Sequence, residues 1–112
     1  LKTFVTEYKN SRSVIIQAHP FRNGQERADV SLLDGIEVFN MHPNHNSRVA
    51  LARTYAKENN KIMTCGTDFH EYAHAGLSAT RFKRIPSDSF ELAEMIREND
   101  FIFQIGDSIV IG

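Results

Sequence analysis

The sequence predicts an α/β fold, and three observations predict it. Short, nearly continuous apolar runs flank a segment with helical periodicity, turn residues bound each run, and the runs end in polar residues of similar type. Apolar runs of this kind suit parallel strands covered on both faces.

The first predicted strand is Val14-Ile15-Ile16-Gln17-Ala18, between the polar stretch 10–13 and His19-Pro20. The second is Gly35-Ile36-Glu37-Val38-Phe39, ending at Asn40. A helix follows, capped by Asn44 or Asn46, which can accept from its free backbone N–H groups. Val49, Ala52 and Ala56 recur on one face, Leu51 and Tyr55 widen it, and Asn59-Asn60 ends it. The third strand, Lys61-Ile62-Met63-Thr64-Cys65, ends at Gly66-Thr67-Asp68 and completes a unit of right-handed crossover length. A second helix is predicted over 87–98, preceded by Pro86 and capped by Ser87 or Asp88. Phe90, Leu92, Met95 and Ile96 form its apolar side. The tail segments 101–104 and 108–111, joined through Gly106-Asp107, read as two short strands or a hairpin.

A length of 112 residues allows one domain and no second independent core. A formal net charge of -1 offers no electrostatic footprint for nucleic acid or anionic lipid. No apolar run approaches the roughly 20 residues that span a bilayer, and the first ten residues lack a signal-peptide pattern. The absence of an initiator Met points to sequence upstream. The single cysteine, Cys65, excludes an internal disulfide and suits a reducing, cytoplasmic setting. At the end of an apolar run it reads as a small buried hydrophobe rather than a nucleophile.

Parallel α/β folds gather reactive side chains at the C-terminal ends of their strands. The three predicted strands deliver His19-Pro20, Glu37 to Asn40, and Asp68-Phe69-His70 to one edge. Asp68 and His70 combine a hard oxygen with an imidazole, a mixture suited to Zn, Mn or Fe. His19 lies on the same edge, turned toward extended geometry by Pro20. Glu37 inside an apolar strand needs a partner if buried; it stands either behind the site or at a solvent-facing edge. Asn40 can bond a loop or a substrate, and Arg22 matches phosphate oxygens. His42 and His45 lie in a polar loop entering the helix. His74 shares a face with His70 if that stretch is helical, whereas Gly76 favours a loop.

Gln17-Ala18-His19-Pro20-Phe21-Arg22, Asp34-Gly35-Ile36-Glu37-Val38-Phe39-Asn40 and Thr64-Cys65-Gly66-Thr67-Asp68-Phe69-His70 together resemble the last two metal motifs of the PHP (polymerase and histidinol phosphatase) superfamily. The likeness covers residues 13–76, including a helix with Asn46 and several alanines. It implies the C-terminal portion of a distorted (β/α)7 barrel, with parallel strands alternating with helices and short C-terminal strands. It further implies hydrolysis of phosphate esters by up to three divalent metal ions (Zn, Mn or Fe). His19, Asp68 and His70 would be ligands of different ions; Arg22, Glu37 and Asn40 stand, from their residue chemistry, as the candidate substrate contacts. The family's opening His-x-His motif and its central Glu and His have no counterpart here. The resemblance therefore implies a fragment of an enzyme, inactive by itself, that needs the missing N-terminal segment. Alone, its exposed sheet edge invites homodimerisation. The rival expectation is a non-catalytic binding or regulatory module that retains the motifs as structure; a third is a site completed by another chain.

Overall fold

The three apolar runs form one parallel sheet. In the computed structural model, which describes residues 1–111, β1 (Ile16–Gln17), β2 (Gly35–Asn40) and β3 (Ile62–Gly66) lie in the order β1-β2-β3. The register pairs Ile16 with Gly35, and Gly35 with Ile62, and shifts between Glu37 and Phe39. β1 is only two residues long, shorter than the apolar run that predicts it.

The central strand carries the core. Ile36 and Val38 are fully buried and cluster with Leu33, Cys65, Phe103 and two alanines of α2 (Val49–Glu58). Ala52 and Ala56 have no bulk beyond Cβ, so α2 lies directly against β2. Leu51 is exposed rather than part of that face. The start of α2 is also not the predicted asparagine cap. Its N-cap is Arg48, in the left-handed region at φ +49°, while Asn46 Oδ1 accepts from the Arg48 N–H at 3.0 Å.

The expected partial (β/α)7 barrel is overturned. Among the described residues there are three α-helices and two open three-stranded sheets, one parallel and one antiparallel. Strand and helix alternate only across β2-α2-β3 within the parallel sheet. β1 joins β2 through turns and a short 3-10 helix, Val30–Leu32. After β3 the chain reverses into β4 (Ser78–Phe82), which runs antiparallel to β5 (Phe101–Ile105), itself paired with β6 (Ser108–Val110). Side-chain hydroxyls bind β4 to the end of β3. Thr80 Oγ1 accepts from the Cys65 N–H and donates to the Cys65 carbonyl, both at 2.8 Å, and Thr67 Oγ1 donates to the Ser78 carbonyl at 2.6 Å. These bonds satisfy backbone groups that a further parallel strand would otherwise take.

α3 (Ser89–Glu98) links β4 to β5 and is capped by Asp88, whose Oδ1 accepts from the Glu91 N–H at 2.8 Å. Met95 is its buried residue, and Phe90 lies half exposed under the Arg12 guanidinium. α1 (Lys2–Tyr8), which no sequence signal had marked, buries no residue. Among the described residues, no helix is long and apolar enough to cross a membrane.

Candidate functional site

The C-terminal edge of the parallel sheet brings together the residues the sequence singles out. At its middle stands Glu37, on the central strand. Its Oε2 accepts from the His19 backbone N–H beyond β1 and from Asn40 Nδ2–H on its own strand, both at 2.9 Å. Its Oε1 lies over Gly66 at the end of β3, where a Cβ would overlap it. Glycine leaves the carboxylate the space a side chain would use, and a larger residue would push the Glu37 side chain aside. Asn40 extends the chain of bonds by accepting from the His42 N–H at 3.1 Å. Glu37 and Asn40 therefore satisfy neighbouring backbone groups; their hydrogen bonds tie the ends of β1 and β2 together, and the Glu37 carboxylate packs over the end of β3.

Asp68 is the second focus. Arg22 Nη1 donates to its Oδ2 at 2.7 Å, His70 Nε2 lies 2.9 Å from Oδ1, and His19 Nε2 stands 3.8 Å from Oδ2. Hydrogen bonding from Arg22, and then from His70, holds the Asp68 carboxyl below its ordinary range against the opposing effect of burial. Two of the three predicted ligands occupy the left-handed region, His19 at φ +30° and Asp68 at φ +56°. The extended geometry expected of a residue before proline is not what His19 adopts. Strained backbone of this kind persists only where surrounding contacts enforce it. The Glu37 bond to the His19 N–H is one such contact. Another is the turn in which the Arg22 N–H donates to the His19 carbonyl at 3.2 Å. That turn also carries the Arg22 side chain back toward Asp68.

The remaining histidines form a cluster that adjoins the Asp68 site through His70, whose ring centroid lies 6.1 Å from that of His42 and 6.4 Å from that of His74. His42 and His74 are buried, with ring centroids 4.4 Å apart, and exposed His45 stands 4.9 Å from His42. His42 Nδ1 accepts from the Asn44 N–H and His74 Nδ1 from the His70 N–H. A ring whose Nδ1 accepts keeps its proton on Nε2 when neutral, so these two nitrogens are committed to packing loops together. His74 sits in a 3-10 turn, Tyr72–His74, rather than in a helix. Ser47, buried with its Oγ 3.4 Å from Arg22 Nη2, joins the site without a signal in the sequence.

A metal ion is what the donor set would hold, and it fits in kind only. One carboxylate and two imidazoles match Zn, Mn or Fe, and His19 Nδ1 is buried without a hydrogen-bond partner. Against this, both Asp68 oxygens are engaged, and among the described residues no group of three or more His, Cys, Asp or Glu is arranged to hold an ion. Compared with protein-family models, curated proteins and solved structures, the chain matches none.

Proposed function

We propose that this chain contributes part of a metal-dependent phosphoesterase centre of the PHP type, with Asp68 as its pivot. The observation that carries the reading is the convergence on one carboxylate of His19, Arg22 and His70, from the loops after β1 and β3. In this reading Asp68, His19 and His70 are partial ligands, and Arg22 offers a planar cation to a phosphoryl oxygen. A bound divalent ion would supply an activated water and charge neutralisation. The protein's own part is to hold imidazole and carboxylate at fixed spacing through Glu37, and to present the guanidinium. The substrate is a phosphate ester and the setting cytoplasmic. A further segment of the protein, or a second copy of the chain, completes the ligand set. The fragment is inactive until it does.

The second reading is a non-catalytic binding or regulatory module, favoured by the Arg22–Asp68 pair, which already neutralises the pivotal carboxylate. Elemental analysis of the purified chain, after incubation with Zn, Mn or Fe, separates the two. The phosphoesterase reading expects bound metal in the wild type that falls clearly in Asp68→Ala. A wild-type chain that stays metal-free in all three ions would leave the binding module. Turnover restored by an added N-terminal piece would identify the missing segment as the completing partner. Turnover that tracks self-association would instead identify the homodimer.

A further inference from the structure

We infer that the pocket at the N-terminus of α2 is a seat for a tetrahedral oxyanion, either free phosphate or the phosphoryl group of an ester. It goes beyond the metal reading and does not depend on it: no divalent ion, and none of His19, Asp68 and His70, supplies a donor.

The backbone supplies the first donors. α2 opens at Arg48 with no side chain capping it, and the Val49, Ala50 and Leu51 N–H groups have no acceptor among the described residues. An uncapped first turn offers convergent N–H groups and the positive end of the helix dipole to an anion. The residues that could have closed it are engaged elsewhere. Asn46 Oδ1 accepts from the Arg48 N–H at 3.0 Å, outside the helix. The Arg48 guanidinium donates to the Phe21 carbonyl and, at 2.7 Å, to Asn23 Oδ1.

Two buried side chains add donors that the fold leaves unused. A pocket of about 320 Å³ lies at this terminus, with His42, His45, Ser47 and Val49 in its wall, and among the described residues no carboxylate lines it. Ser47 is 5% exposed and His42 is 7% exposed. Ser47 Oγ accepts from Arg22 Nη2 at 3.4 Å, which leaves its O–H to donate, and that O–H has no acceptor among the described residues. His42 Nδ1 accepts from the Asn44 N–H at 3.2 Å. The ring proton therefore sits on Nε2, which likewise has no acceptor among the described residues. Buried donors are normally satisfied. Two unsatisfied ones in the wall of an acid-free pocket, beside three free N–H groups, match a ligand that only accepts hydrogen bonds. A phosphoryl group is such a ligand, with several charged oxygens to divide among them.

The test is titration of the metal-free chain with inorganic phosphate, at ionic strength held constant with chloride, followed by amide resonances. The Val49, Ala50 and Leu51 N–H signals should shift together and saturate, while those of Ile36 and Val38 in the core stay in place. A hydrogen bond to a charged group is worth about tenfold or more in affinity, so Ser47→Ala should bind phosphate at least that much more weakly. Ser11→Ala, an exposed serine outside the pocket, should bind as the wild type does. Glycerol 3-phosphate tells the two sources apart: tighter binding than inorganic phosphate assigns the seat to an ester, and equal or weaker binding assigns it to the free ion. Signals of Val49, Ala50 and Leu51 that stay in place, or that drift without saturating, overturn the inference. So does a folded Ser47→Ala that binds as tightly as the wild type. Should circular dichroism show Ser47→Ala unfolded, the wild-type signals decide by themselves. Since no metal is added, a negative result leaves the metal reading untouched.

Discussion

Glu37 acts on three strand ends at once: a backbone N–H beyond β1, an amide on β2, and the bare Cα of Gly66 on β3. Gly66→Ala places a methyl where Oε1 lies. The carboxylate must withdraw and leave a buried amide underbonded, at a cost of about 1–3 kcal/mol. Urea denaturation should show that loss as a lower midpoint. The position of Glu37 in an apolar run left two readings, a paired carboxylate behind the site or one facing water at an edge. That its partner is a main-chain N–H 18 positions upstream is a product of strand order. Cys65 shows the opposite case, since its run-end position alone marks it as buried. Burial pushes its thiol up to about 11, so the thiolate fraction at pH 8 is about 100-fold below that of an unperturbed thiol. A more basic thiolate is also more nucleophilic, which returns roughly tenfold of that, so reaction with a disulfide reagent should be slower by about tenfold or more in the native chain, and should recover in urea.

Among the elements, α3 was readable to its cap. Asp88 accepts from the Glu91 N–H, and Glu91 Oε2 in return accepts from the Ser87 N–H and hydroxyl. Asp88→Ala should lower stability by about 1 kcal/mol, measurable as a shifted urea midpoint with unchanged slope. β4 was not readable. Its inward residues, Ser78 and Thr80, are polar, so the apolar alternation that marks a strand is missing, and what holds them is hydrogen bonding to β3. α1 was missed for a related reason. Its apolar residues contact one another, Phe4 against Tyr8 at 5.0 Å between rings, rather than a core.

For the whole molecule, buried His42 sets a pH dependence. His42 has its pKa lowered, first by burial and then by the charges of His74 and His45, with Arg22 acting in the same sense and Asp68 against it. A group whose folded value lies below its unfolded value of about 6.5 binds its proton more readily when unfolded. Its contribution is complete above that unfolded value and is lost as pH falls toward the folded one. The urea midpoint should therefore be higher at pH 7.5 than at pH 5.5, and His42→Gln should flatten the difference. The loops joined by His42 and His74 follow β2 and β3, so acid should loosen the edge that carries Asp68 before the core at Ile36 and Val38.

By itself the sequence determined the α/β class, the parallel pairing of the three apolar runs, the helix between the last two, and the edge at which His19, Glu37, Asp68 and His70 gather. Apolar periodicity and turn residues are local signals, and a parallel strand order follows from them. Tertiary structure alone decided that the sheet stays open, that β4 caps β3 through hydroxyls, that Glu37 ties strand ends, and that Arg22 closes on Asp68. Each of those outcomes depends on polar groups meeting across 11 to 46 positions of chain, and hydrogen-bond partners at that separation leave no periodic trace in the sequence.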